Sequence, residues 1–180
     1  MMHLKNTGFS PRDTSDLLER ARILGKGCTI RDCRVSAKYV EFDVSISKAR
    51  LDILTDKLKL IAPLERARLV EEVHLDKEQG VKQGIEYFND ERFWESHEVL
   101  EGVWKKSYEG EKELVQGIIL IAAALVHYQK DENSICLSIL NRAKEKLSRS
   151  SGMYHAINVD EIRKNLDKII DTGKIFVFTI

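Results

Sequence analysis

The side chains with the clearest chemical potential lie close together in the sequence between residues 94 and 104. His97, Glu98 and Glu101 supply an imidazole and two carboxylates within five positions, and Trp94 and Trp104 flank them. A histidine beside a carboxylate is a pairing used in general acid–base catalysis, and the same pairing also closes polar networks in protein cores. We therefore take His97, Glu98 and Glu101 as candidate catalytic residues.

On a helical wheel, seven side chains of this segment, some apolar and some polar, fall on one arc of about 160°. His97 and Glu101 fall in the middle of that arc, so they are expected to be buried. Because a buried carboxylate must be paired, protonated or bound to something, the pattern predicts a buried polar cluster. Glu95 projects away from the arc and is not expected to join the site unless another helix covers that side. In order, the arc contains Leu100, Phe93, Trp104, His97, Glu101, Trp94 and Glu98.

The next helical segment supplies two more polar candidates. Gln116 and His127 bracket an apolar run and are eleven residues apart, which is about three helical turns, so both point the same way. An antiparallel neighbour that turns near residues 108–110 brings Gln116 opposite Glu101 and His127 towards Trp94. We take Trp94, Trp104, Gln116 and His127 as candidate ligand-binding residues of the predicted cluster.

The histidines and carboxylates of this cluster are not predicted to form a metal site. Two histidines and several carboxylates are suitable ligands for zinc or iron. However, neither a Glu-x-x-His nor a His-Glu-x-x-His pattern occurs, and the helical register places His127 about two turns from His97 along the axis. The sequence also lacks a glycine-rich phosphate loop and a nucleophile elbow, so we expect neither a metal nor another cofactor.

The second half of the chain must hold these residues on helices. Helical periodicity predicts an antiparallel bundle of five helices joined by short loops. After it, residues 174–180 form a short apolar run that predicts a strand. That strand would return to a sheet of this chain or pair with a second copy, which makes a homodimer a possible partner arrangement. The five predicted helices span about 77–89, 91–107, 112–130, 134–148 and 160–171.

The first half has a different pattern, in the order β-α-β-β-α-β. Residues 29–35 and 40–46 predict a strand pair, and Ser10 and Ser47 can cap helices that end near Gly25 and Pro63. Residues 66–73 and 2–7 are two further strand candidates. The sequence therefore predicts an α+β protein: a ferredoxin-like α/β sandwich over 1–74, and the helical bundle with its terminal strand over 75–180.

Composition excludes several function classes. Among 180 residues, 29 are Lys or Arg and 29 are Asp or Glu, which removes the usual electrostatic basis for binding nucleic acid or an anionic membrane. Glu41 and Asp43, predicted to face outward from their strand, also argue against an RNA-binding sheet. The ten-residue apolar run 117–126 is about half the length of a membrane-spanning helix. With three cysteines and no signal-peptide pattern at the start, a cytoplasmic location is expected.

The helical half resembles domain-of-unknown-function family 309 over about residues 78–150. The resemblance implies an all-helical bundle and does not imply a biochemical role. After the histidine this chain has Asp131-Glu132-Asn133-Ser134-Ile135, where the family often has a glycine-rich stretch. The matching residues are Phe88-Asn89, Phe93-Trp94-Glu95-Ser96-His97-Glu98-Val99-Leu100-Glu101, Trp104, Gln116-Gly117-Ile118-Ile119-Leu120-Ile121-Ala122-Ala123-Ala124 and His127.

Two functions fit these patterns. The first is a noncatalytic binding or interaction module, whose partner is a small ligand or a protein and whose His/Glu/Gln cluster satisfies itself. The second is a small hydrolase or lyase, with or without a metal ion, in which Glu101 or Glu98 acts as the base and His97 positions or moves a proton. An enzyme site needs an opening beside His97, whereas a structural network is sealed and hydrogen-bonded within the protein.

Overall fold

The computed structural model describes residues 1–70 and 75–180. The chain divides into two compact units. The first unit comprises Met1–Glu72 together with Gln129–Asp131, and the second comprises Val73–Tyr128 together with Glu132–Ile180. The domain boundary that the sequence predicts between residues 74 and 75 adjoins residues 71–74, which lie outside the described residues.

The first unit contains a four-stranded antiparallel sheet and two helices. The strand order is β2-β3-β1-β4, and every neighbouring pair is antiparallel. This arrangement is the ferredoxin-like topology that the alternation of strands and helices predicts. In chain order, the elements are β1 (Met2–Lys5), α1 (Thr14–Leu24), β2 (Thr29–Val35), β3 (Tyr39–Ser45), α2 (Leu51–Leu58) and β4 (Leu64–Ala67).

The strand predicted over residues 66–73 is only partly confirmed. The observed strand, β4, ends at Ala67, so it shares two positions with the predicted range 66–73. Residues 68–70 do not form a strand, and residues 71–73 lie outside the described residues.

One face of the sheet packs against its two helices. Leu4 and Phe42 on the sheet and Leu17 and Leu54 on the helices are all at most 1% exposed. A register shift between Ile30 and Asp32 inserts an extra residue into β2. Because a bulge of this kind changes the phase of the alternation, β2 can bury Ile30 as well as the later residues of its apolar face.

The opposite face of the sheet corrects the prediction that Glu41 faces solvent. Glu41 is only 1% exposed, and the guanidinium of Arg34 donates a hydrogen bond to its carboxylate at 3.3 Å. The imidazole of His3 lies 3.9 Å from the same carboxylate, and Arg34 also pairs with Asp32 at 3.1 Å. Strand alternation placed Glu41 on the correct face but could not show that a cation on the neighbouring strand would allow its burial.

The second unit is the predicted helical bundle, with a small hairpin added. Each of its five helices lies within three residues of the predicted bounds, and the α+β fold class is confirmed. Across the part of the chain that is described, no helix is both long and apolar enough to cross a bilayer. The elements are α3 (Lys77–Asn89), α4 (Phe93–Lys106), α5 (Glu109–Tyr128), α6 (Asn133–Leu147), β5 (Met153–Tyr154), β6 (Ile157–Asn158) and α7 (Val159–Thr172).

Two glycines on α3 allow α4 to pack unusually close. A Cβ atom built on Gly80 would lie 2.7 Å from a methyl carbon of Val103, and one on Gly84 would lie 2.6 Å from a methyl carbon of Leu100. Carbon atoms that are not bonded normally stay about 3.5–4.0 Å apart, so no larger residue fits at either position without a shift. The hydroxyl of Ser96 reaches the Gly84 carbonyl at 2.8 Å across the same contact. The glycines thus determine which face of α4 packs on α3.

Residues 174–180 do not form the predicted strand. Gly173 ends α7 in the left-handed region at φ 67°, and the segment that follows packs its apolar side chains on the core of the helical unit. The side chain of Asn89 both donates to and accepts from the main chain of Ile180, at 3.1 and 2.9 Å. The segment therefore buries its apolar side chains on the helices without a neighbouring strand, which the apolar pattern alone does not distinguish from a sheet.

The glycine contact predicts opposite effects for two similar substitutions. Gly84→Ala should destabilise the protein by about 1–2 kcal/mol, because overpacking against Leu100 outweighs the better helix propensity of alanine. Gly102→Ala, where nothing lies within 4 Å of the added carbon, should stabilise α4 by about 0.5–1 kcal/mol. Urea unfolding of both variants measures these changes. Equal effects of the two substitutions would show that α3 and α4 are not in close contact.

Candidate functional site

The buried face of α4 is rotated from the predicted one. Its buried side chains centre on Ser96, Leu100 and Val103, whereas the predicted arc centres near His97. The two centres differ by about 100°, or one residue on the wheel. Gly80 and Gly84 account for the difference, because only a helix face that meets glycines can approach so closely. His97 and Glu101 therefore lie at the edge of the buried face and beyond it.

His97 sits between two carboxylates at the surface of α4. Its Nδ1 atom lies 3.4 Å from Glu98 and its Nε2 atom lies 3.7 Å from Glu101. The His97 side chain is 25% exposed, and those of Glu98 and Glu101 are 49% and 47% exposed. The prediction that His97 and Glu101 are buried together is therefore wrong, although the three groups do lie side by side.

The predicted ligand-binding residues lie on α4 and α5, and Trp104 and His127 contact residues outside the predicted cluster. Within the described residues, no hydrogen bond joins the half-buried Gln116 to Glu98 or to Glu101. His127 instead pairs with Glu132, with 2.5 Å between Nδ1 and a carboxylate oxygen. Trp104 is partly buried, and the ammonium of Lys112 lies 5.3 Å from the centre of its ring. The pairing of His127 was missed because the wheel considers one helix, and Glu132 belongs to the turn after it.

These residues do not form a metal site. Throughout residues 1–70 and 75–180, no three histidine, cysteine or acidic side chains come close enough to share a metal ion. A cavity of about 250 Å3 does lie on the helical unit, but α3 and the turn between β5 and β6 form its walls. Its lining residues are Glu78, Val81, Lys82, Ile85, Glu86, His155 and Ala156.

The buried ion pair of this unit is formed by Arg92 and Glu95. Both residues are 5% exposed, and two hydrogen bonds of 2.5 and 2.6 Å join the guanidinium to the carboxylate. The guanidinium also lies 4.1 Å from the ring of Tyr87, near the end of α3. Burial opposes the charge of Arg92, but the hydrogen bonds and charge of Glu95 prevail and raise the pKa of the guanidinium. Glu95 is expected to stay outside any site unless a second helix covers it; the structure buries it, and its partner Arg92 lies over Tyr87 near the end of α3.

A second polar cluster was not predicted at all. Glu111, 6% exposed, accepts a hydrogen bond of 2.5 Å from the Tyr154 hydroxyl and bonds of 3.0 and 3.2 Å from Lys77. Burial would raise the pKa of the Glu111 carboxyl, but these bonds outweigh it and hold the pKa below its usual range. The cluster joins α3, α5 and the β5–β6 hairpin. Its first and last members, Lys77 and Tyr154, are 77 positions apart in the chain, so the periodicity of a single helix could not indicate it.

The buried pair predicts unequal effects for two glutamate substitutions. Glu95→Gln should destabilise the protein by about 3–5 kcal/mol, because it leaves the Arg92 charge buried without its partner. Glu101→Gln makes the same chemical change on a half-exposed carboxylate and should cost less than about 1 kcal/mol. Urea unfolding at pH 7 measures both values. A larger loss for Glu101→Gln would mean that the assigned rotation of α4 is wrong.

The Glu111 cluster predicts a pH-dependent stability difference. The pKa of Glu111 is lower in the folded protein than in the unfolded chain, where it is about 4.3. The ionised carboxylate therefore stabilises the folded protein above about pH 4.3. This stabilisation is lost as the pH falls through the folded pKa. Tyr154→Phe should therefore destabilise by about 1–2 kcal/mol at pH 7 and by less below pH 4. The exposed Tyr108→Phe should change stability by less than about 0.5 kcal/mol at either pH. Thermal or urea melts from pH 3 to 7 test this, and a constant difference for Tyr154→Phe would contradict it.

A family model matches the segment that carries these residues. Residues 81–139, which run from α3 into α6, match the Domain of unknown function (DUF309). Among curated proteins, none matches this chain. The match covers about a third of the chain, and it confirms the resemblance inferred from the residues of α3, α4 and α5. The helical unit is thus similar to this family over residues 81–139.

Proposed function

We propose that the helical unit is a noncatalytic binding module that binds a cationic group through one surface of α4. This surface, the α4 face, consists of His97, Glu98 and Glu101, with Trp104 at its edge. The ligand is a guanidinium or ammonium group, carried by a small molecule or by a side chain of a protein partner. The observation that carries the proposal is that the two carboxylates beside His97 remain half exposed.

Two properties of the α4 face support a cationic ligand. Glu98 and Glu101 place two negative charges on either side of one imidazole, while the buried carboxylates Glu95 and Glu111 already have cationic partners. Trp104 already holds the ammonium of Lys112 over its ring, so an aromatic surface for a cation adjoins the carboxylates in sequence. A guanidinium fits best, because it pairs with a carboxylate through two hydrogen bonds and also stacks on aromatic rings.

The second candidate remains a small hydrolase or lyase with His97 and Glu98 or Glu101 as its acid–base pair. One observation favours it, namely that both imidazole nitrogens lie within 4 Å of a carboxylate oxygen. Catalytic acids and bases usually owe their altered titration to burial, and the groups of the α4 face are open to water. We therefore rank binding above catalysis, with a metal-assisted reaction as a variant of the second candidate.

We also propose a cytoplasmic location. All three cysteines are free thiols, as expected for a chain kept in a reducing compartment. Burial raises the pKa of Cys33 and of Cys136 to about 12, which keeps both thiols protonated and unreactive at neutral pH. A homodimer through residues 174–180 stays a prediction, and analytical ultracentrifugation decides it.

A hexa-arginine peptide tests the proposed binding surface. In NMR titrations, it should shift the signals of His97 and the Trp104 indole N–H. Glu98→Gln/Glu101→Gln should weaken binding about 3- to 10-fold, because each exposed ion pair contributes about 0.2–1 kcal/mol. Glu109→Gln/Glu145→Gln is the matched control, since both side chains are exposed and the net charge changes equally.

Two results would count against this function. If the two double variants weakened binding equally, the peptide would be responding to net charge and not to the α4 face. If the wild-type chain hydrolysed a model ester and His97→Gln lowered the rate by about 100-fold, the general acid–base candidate would be favoured instead.

A further inference from the structure

Residues 174–180 belong to neither a helix nor a sheet. The side chains of Phe176, Phe178 and Ile180 are half-buried, whereas Val177 and Thr179 between them are exposed. This alternation with a period of two is the pattern of a strand that lies with one face on a surface. The segment is thus held as an extended peptide would be held by a receptor.

The main chain of this segment is recognised by a side chain of α3. The amide of Asn89 donates to the Ile180 carbonyl at 3.1 Å and accepts from the Ile180 N–H at 2.9 Å. A residue of an antiparallel strand makes the same pair of bonds with its hydrogen-bonded partner. Because these two bonds join Asn89 to main-chain atoms of Ile180, they do not depend on which side chain occupies that position.

Aromatic and aliphatic groups supply the rest of the contact. The ring of Phe178 lies 6.0 Å from the ring of Phe88, and the ring of Phe176 lies 6.2 Å from that of Phe178. The ammonium of Lys168 lies 5.3 Å from the centre of the Phe176 ring. Aromatic pairs at these distances add about 0.5–1.5 kcal/mol to the burial of their surfaces. The Phe88 ring and the Lys168 ammonium therefore favour aromatic side chains at positions 178 and 176 of the segment.

The receiving side and the segment differ in their relation to the family domain. Phe88 and Asn89 lie within residues 81–139, which match the family model, and residues 174–180 lie outside that match. The surface that receives the segment thus belongs in part to the domain itself, while its occupant is an addition to it.

We propose that Phe88, Asn89 and Lys168 form a peptide-binding groove, here named the α3–α7 groove, which residues 174–180 occupy as an intramolecular ligand. Its ligand in another protein is an extended segment with aromatic side chains at alternate positions followed by an aliphatic one. Recognition of an extended main chain together with alternate side chains is an established way of binding peptides. Because the attached segment competes at an effective concentration in the millimolar range, a free peptide binds well only when the segment is released. This site is separate from the α4 face and does not depend on it.

The direct test removes the segment and adds it back as a peptide. A chain that ends at Gly173 is titrated with a fluorescently labelled peptide of the sequence of residues 174–180. We expect the truncated chain to bind this peptide at least 10-fold more tightly than the 180-residue chain does. A peptide with alanine in place of both phenylalanines should bind at least 10-fold more weakly. A truncated chain that unfolds cooperatively but does not bind at 1 mM peptide would overturn the proposal.

A second variant keeps the test decisive if the truncated chain does not fold. Phe176→Ala/Phe178→Ala in the 180-residue chain loosens the segment while leaving it attached. This variant should bind the labelled peptide at least 5-fold more tightly than the wild type, and adding Asn89→Ala should reverse the gain. No gain over the wild type would contradict the proposal. Glu98→Gln/Glu101→Gln should leave peptide binding unchanged, so failure at the groove and failure at the α4 face are separable.

Discussion

The close contact between α3 and α4 determines the arrangement of the polar groups in the helical unit. Gly80 and Gly84 leave space that Val103 and Leu100 fill, so α4 has one orientation in which it can approach this closely. That orientation turns Ser96 towards the Gly84 carbonyl and places Glu95 beside Arg92. It also leaves Glu98 and Glu101 at the surface. The chemistry available to the protein therefore depends on two residues that have no side chain.

This packing separates the ionisable groups into two classes. The buried carboxylates of Glu95 and Glu111 are matched by Arg92 and by Lys77 with Tyr154, so their charges are already compensated. Buried pairs of this kind are costly to break and contribute little to ligand binding. The carboxylates of the α4 face have only His97 between them and remain open to water. This accessible negative surface is the basis of the proposed binding of a cation.

The sequence was sufficient for most of the elements and for their order, but it did not predict the β5–β6 hairpin, and the strand it predicted over residues 174–180 does not form. Strand alternation and helical periodicity predicted the ferredoxin-like unit and all five helices of the bundle, because both depend on local patterns. The orientation of α4 could not be predicted, since a wheel drawn for one helix does not include the space that Gly80 and Gly84 provide on another. The pairing of Glu111 with Tyr154 depends on tertiary contact between distant segments. The apolar run at residues 174–180 was wrongly predicted to be a strand, because the pattern could not reveal that helices, and Asn89 in particular, receive it.

The orientation of α4 is tested most directly by solvent paramagnetic relaxation measured on its side chains. A soluble gadolinium chelate should broaden the side-chain signals of Glu98 and Glu101 strongly and those of Glu95 and Ser96 very little. Strong broadening of Glu95 together with protection of Glu101 would mean that α4 presents the opposite face. That result would contradict both the burial of the Arg92–Glu95 pair and the proposed binding surface on the α4 face.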